Sequence, residues 1–169
     1  MNVTQEVNAT AAQRDATHGA RLLRAWQRLA RRRAGRWLFS RLVGRVAPYT
    51  GSIRARILAL EPGRAEVQLR DRRRVRNHLR SIHAIALANL GELASGLAMT
   101  AALPPRVRGI PVHIGIEYCK KARGTLTAVG TAAPGQVIDA ATAEAVGEIR
   151  DRAGDVVAVV TVRWQLQRM

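Results

Sequence analysis

From residue 52 onward, polar and apolar positions alternate with a period of two. Residues 52–60 and 64–69 both follow this pattern, and Glu61-Pro62-Gly63 between them is turn chemistry, which predicts a β-hairpin. The run 84–103 comes next, a long stretch mostly of Ala and Leu closed by Pro104 and Pro105, as expected of a buried helix. Alternation returns over 112–121, 124–131, 145–151 and 156–167, and Ala153-Gly154-Asp155 gives the last pair a tight turn. Upstream the period is helical. Leu22, Leu23, Trp26, Leu29 and Ala30 share one face of 18–34, and a second helical segment, 37–46, stops at Pro48. A hairpin, one buried helix and four more strands, with no βαβ alternation, predict an α+β fold whose antiparallel sheet wraps one long central helix.

The pattern divides the chain into a small, polar, disordered tail at 1–17, a basic helical extension at 18–49 and one folded domain at 50–169. A length of 169 residues suits that single domain. Aromatic residues make up only 4%, so Val, Leu, Ile and Ala must fill the core. The lone Cys119 excludes an internal disulfide, fits a reducing compartment and is expected to be a packed strand thiol rather than a nucleophile. With no apolar secretory stretch at the start, the expected location is cytoplasmic. The 84–103 run has the length of a membrane span, but Asn89, Glu92 and Ser95 are costly in lipid, so burial inside protein is the better reading.

Charge adds a question. The formal net charge is +16, and only Lys120 and Lys121 among the 28 basic residues are lysine. Residues 1–49 hold ten arginines against two acids, half of that excess. The helical extension is expected to pack on the domain through its Trp and Leu face; peripheral contact with an anionic membrane surface is the alternative. The run Arg70-Asp71-Arg72-Arg73-Arg74-Val75-Arg76-Asn77 suits a solvated hairpin end better than a grip on phosphates. Nucleic acid is not an expected partner, because no aromatic platform for bases accompanies the charge. Glycine-rich phosphate loops, zinc-spaced Cys/His clusters and serine elbows are all missing from the sequence, so neither cofactor nor metal is expected.

The chemistry concentrates at one place. Asn89, Glu92 and Ser95 share a face of the apolar helix, and burial of a carboxylate there raises its pKa toward the range of a useful base. Asn77, His78 and His83 precede the helix, whose first N–H groups have no intrahelical partner and can stabilise charge on a carbonyl oxygen. Capping or packing is the simpler reading of His83.

The spacing of Asn77, His83 and Glu92 resembles the signature of hotdog-fold acyl-CoA thioesterases of the phenylacetic-acid type, Asn-x-x-Gly-x-x-His-Gly-Gly followed by an acid on the central helix. Ile116-Glu117-Tyr118-Cys119-Lys120-Lys121 and Gly124-Thr125-Leu126 are similar to that family's strand after the helix. Ala47-Pro48-Tyr49, Arg76-Asn77-His78-Leu79 and His83-Ala84-Ile85-Ala86 are closest to a bacterial hotdog subfamily of unassigned function. The resemblance covers about residues 36–168. It implies a hotdog fold and hydrolysis of an acyl thioester carried by CoA or a carrier protein, with Glu92 as general base or nucleophile. Asn77 and His83 would shape the helix entry, N–H groups at Ala84 and Ile85 would hold the oxyanion, and Asn89 and Ser95 would orient water or the carboxylate. Lys120, Lys121 and Arg123 would meet CoA phosphates.

His83 and Glu92 of one chain are nine helical residues apart, about 13 Å, so they cannot share one carbonyl. The site would therefore need a homodimer or a dimer of dimers. Two departures oppose catalysis: Arg80 stands where the motif has glycine, and Ala84-Ile85 replaces Gly-Gly. They favour a non-catalytic dimer binding an acyl ligand, a lipid or a protein partner. Hydratase chemistry on the same fold is a third reading.

Overall fold

The computed structural model describes residues 18–169, so the predicted tail at 1–17 lies outside the described residues. Three helices come first: α1 (His18–Leu29), α2 (Arg33–Val46) and the single turn α3 (Pro48–Gly51). The hairpin β1 (Arg56–Glu61) and β2 (Arg64–Leu69) follows, then α4 (Ala84–Ala102). The chain ends with β3 (Val107–Tyr118), β4 (Leu126–Ala132), β5 (Ala140–Arg150) and β6 (Val156–Arg168). The six strands form one sheet in the order β1-β2-β4-β5-β6-β3, antiparallel throughout. It wraps α4, as the hydrophobic pattern predicted.

The composition of α4 is what lets the sheet close on it. Of its 19 residues 12 are buried, so it is a core helix although its length and hydropathy match a membrane span. A side chain at Gly130 of β4 would sit 2.1 Å from the carbonyl of Ala94, and one at Gly147 of β5 would sit 2.4 Å from that of Gly91. Small residues on both surfaces thus bring helix and sheet backbones together. Ile57, Leu69, Leu90, Met99, Leu126 and Leu166 fill the remaining core.

Several boundaries differ from the pattern. β3 begins at Val107 rather than 112, because Pro111 is accommodated at a bulge on this edge strand. It ends at Tyr118, which leaves Cys119 exposed just beyond it rather than packed. β5 starts at Ala140, where small residues hide the alternation. The first helix breaks after Leu29, and α2 begins at Arg33.

The helical extension packs only in part as expected. Trp26 is buried and meets the buried Phe39 edge-on, with ring centroids 5.1 Å apart. Trp37, at 54% exposure, and Leu38 and Leu42 face outward instead, so α2 holds on mainly through Phe39 and Val43. The arginine-rich run after β2 keeps Arg70, Arg73, Arg74 and Arg76 exposed, as expected of a solvated end, while Arg72 is half-buried. The run folds into a 3-10 turn, Arg73–Val75, with Val75 buried.

Candidate active site

The link from β2 into α4 is organised by short polar residues. Asn77 Oδ1 accepts from the N–H groups of Leu79 at 2.9 Å and Ser81 at 3.2 Å, and the Asn77 N–H donates to the Ser81 carbonyl at 2.8 Å. This is an Asx turn, a conformation that asparagine builds readily. Arg80 within it has φ +54°, in the left-handed region that favours glycine, while its side chain is exposed. The motif's glycine at this position is therefore explained by backbone conformation within this chain, rather than by room for a substrate.

His83 is the N-cap of α4: its Nδ1 accepts from the N–H of Ile85 at 3.1 Å. The carbonyl of His83 takes the N–H groups of Ala86 and Leu87. Of the four N–H groups in the first helical turn, only that of Ala84 is left without an acceptor among the described residues. Of the two expected oxyanion donors, Ile85 is thus already engaged and Ala84 is free.

The same end of the molecule collects the basic residues after β3. The Ile82 N–H donates to the carbonyl of Ala122 at 2.9 Å, and Asp71 accepts from the Gly124 N–H at 3.0 Å and from Arg76 at 2.5 Å. The Arg76 hydrogen bond holds the Asp71 carboxyl below its ordinary pKa, against its partial burial. Lys121 and Arg123 flank Ala122 and are exposed, close in the fold to the helix entry. Lys120 is differently occupied, paired with Asp151 at 2.8 Å and Asp155 at 2.7 Å across the β5–β6 turn.

Glu92 lies farther along α4, half-buried, on a strip with Ile85, Ala88 and Gly96 that the sheet leaves uncovered. Burial pushes its carboxyl pKa above the ordinary carboxylate value. No hydrogen bond or ion pair reaches its carboxylate among the described residues. Neither expected helper contacts it: the Ser95 hydroxyl donates to the backbone carbonyl of Glu92 at 3.2 Å, and the Asn89 amide donates to the Tyr49 carbonyl at 3.1 Å. A mid-helix hydroxyl can always bond back to its own helix, and here that local partner wins.

Two further buried polar atoms have no partner among the described residues. They are Asn89 Oδ1, one turn before Glu92, and the Trp164 indole N–H on β6. A Cβ at Gly96 would lie 3.4 Å from the Glu92 carboxylate and 3.7 Å from the Trp164 ring, so indole and carboxylate border the same small space. Buried polar groups normally have partners, so the Trp164 indole beside the Glu92 carboxylate is a polar feature of this wall of the helix, whereas the Asn89 amide is turned toward Tyr49. The sequence reading missed Trp164. Its signal was a bulky aromatic at an inward position of β6, in a chain with few aromatics.

The comparisons with known proteins agree with this architecture. The family model described as "Domain of unknown function (DUF4442)" matches residues 35–166. The chain belongs to this family. Among solved structures, it resembles the genomics protein APC5556 at 30% identity and TM-score 0.71, covering 89% of this chain and 99% of that one. A thioesterase family protein from Silicibacter pomeroyi matches at 18% identity and TM-score 0.65, over 77% of this chain and 96% of its own. Thioesterase HI1161 from Haemophilus influenzae matches at 14% and TM-score 0.64, over 75% and 88%. The fold is the hotdog fold. No curated protein matches the chain significantly.

Proposed function

We propose that this protein hydrolyses an acyl thioester at a site shared by two copies of the chain. The observation that carries the reading is Glu92: a half-buried carboxylate with raised pKa and no partner among the described residues, bordering the same small space as the Trp164 ring. The hotdog fold, and the thioesterase names of two of its structural relatives, supply the substrate class.

The carboxylate of Glu92 takes a proton from a water molecule, whose oxygen attacks the thioester carbonyl carbon. The negative charge that develops on the carbonyl oxygen is held by the Ala84 N–H of the other copy, with the dipole of α4 behind it. Collapse of the tetrahedral intermediate breaks the carbon–sulfur bond and leaves the acid. The departing thiolate takes up the proton held by Glu92. Direct attack by Glu92, giving an anhydride that water then opens, is the variant of the same chemistry. His83 and Asn77 act at a distance from the reacting atoms, fixing the turn that presents Ala84. Lys121 and Arg123 suit the phosphates of a CoA carrier; Lys120 is held by two aspartates.

The need for a second copy rests on two features. The helix entry and Glu92 of one chain are about 13 Å apart along the axis. β3 is also a 12-residue edge strand whose outer backbone pairs with no other strand among the described residues and whose Ile110, Val112 and Ile114 are exposed, a surface that invites pairing with a second copy.

A panel of acyl-CoA chain lengths tests the reading. Hydrolysis should appear for at least one chain length and fall about a hundredfold or more in Glu92→Gln. Turnover untouched by that substitution would sink the mechanism. Ile85, 53% exposed where the motif has glycine, favours a second reading, a binding module that holds an acyl group without turning it over. Tight acyl-CoA binding with no hydrolysis at any length would select it.

A further inference from the structure

A second feature lies apart from this chemistry, between the helical extension and the hairpin edge of the sheet. A cavity of about 890 Å³ opens there, lined by seven arginines and no aspartate or glutamate. Arg41 and Arg45 project from α2, and Arg41 lies over the Trp37 ring at 5.8 Å. Arg54 and Arg56 come from the start of the hairpin, where Arg54 holds a left-handed φ of +47°. Arg70, Arg72 and Arg74 are alternate residues of the run after β2. Thr50, Ser52 and Gln68 add neutral hydrogen-bonding groups to the wall.

A general excess of arginine does not account for this cleft. Solvated surface arginines keep water on every N–H, but here the Nε atoms of Arg56 and Arg72 are buried and have no partner among the described residues. Arg72 is further fixed by donating to the carbonyl of Ile53. Partial burial, then the charges of Arg54 and Arg74, all weigh against its guanidinium. A guanidinium does not give up its proton at neutral pH, so the charge stays and the repulsion with it. Charge buried without a counter-charge is strongly unfavourable, and an anion that bridges several guanidinium forks removes the penalty.

We infer that this cleft is a binding site for a multiply charged phosphate anion, held by guanidinium groups converging from α2, the start of β1 and the 70–74 run. Phosphate is favoured over a simple carboxylate because its several oxygens can meet forks arriving from three directions at once. The inference does not depend on Glu92 or on thioester hydrolysis. A soluble phosphate ester and a phospholipid headgroup share this chemistry. Trp37, Leu38, Leu42 and Tyr49 are exposed on the adjoining helices, which makes the lipid source worth a separate arm of the test.

Titration of the full chain with pyrophosphate, followed by calorimetry and by melting temperature, should give saturable binding that weakens as salt rises. Arg54→Gln with Arg74→Gln changes two exposed side chains, so folding is retained, and should weaken binding about tenfold or more. Arg72→Gln should do the same, with the double variant standing if this partly buried change harms the fold. The charge-matched pair Arg163→Gln with Arg168→Gln, on exposed positions of β6, should leave binding within about twofold. Equal losses in both double variants, or no saturable binding, would overturn the site in favour of a diffuse field. Sedimentation with vesicles containing phosphatidic acid then separates the sources. Vesicle binding displaced by pyrophosphate identifies a lipid headgroup; pyrophosphate binding without vesicle binding identifies a soluble ester.

Discussion

Glu92 carries a measurable signature quite apart from turnover. Burial raises its pKa, so the folded chain holds this proton more tightly than the unfolded chain does. Stability on this account is highest at acidic pH and falls as pH rises from the ordinary carboxylate value through the raised one. Glu92→Gln removes the penalty. The variant should melt above wild type at pH 8, and the gap should close as pH drops below about 4. A gap independent of pH would mean that the carboxylate is not desolvated. Arg80 offers a second residue-level test. Its φ of +54° strains any side chain, so Arg80→Gly should stabilise the fold by about 1 kcal/mol in denaturant unfolding. The same substitution restores the motif's glycine without touching Glu92.

At the scale of elements, the helix α4 and its sheet depend on close backbone approach. Gly130→Ala places a methyl group against the Ala94 carbonyl and should destabilise by about 1–3 kcal/mol, read as a lower denaturation midpoint. Much of this level was legible in the sequence. The switch from helical to two-residue period located α4 and the strands, because burial on one face writes itself directly into hydrophobic pattern. Strand order was not legible, since pairing between distant strands leaves no local mark. β3 and β5 were trimmed for a related reason: Pro111 sits at an edge bulge and Ala140–Ala143 are small, so neither alternates visibly. The exposure of Trp37 was misread because a helical face says which residues are apolar and not whether a partner covers them.

The site was legible only along the chain. Asn77, His83 and Glu92 stood out by spacing, but hydrogen-bond partners follow from three-dimensional geometry. Hence the occupied Ile85 N–H, the free Ala84 N–H and the unpaired Trp164 indole had to come from the structure. The arginine cleft is the same lesson at larger scale. Residues 41–45, 54–56 and 70–74 read as separate charge runs in sequence, and only folding makes them one surface.

For the whole molecule, the decisive issue is whether one copy's helix entry serves the other copy's carboxylate. Proline is well tolerated at the first position of a helix and lacks an N–H, so Ala84→Pro should delete the free donor while keeping α4 intact. His83, with φ −65° and ψ 140°, already has a conformation that can precede proline. Ala84→Pro and Glu92→Gln should each be nearly inactive as pure proteins. Unfolded together and refolded as a mixture, they form hybrid dimers in which one of the two sites has both intact parts. Thioester hydrolysis by that mixture is the measurement that bears most directly on a shared site. Recovery to about a quarter of wild-type activity is expected from random pairing; a mixture as inactive as its components would contradict it.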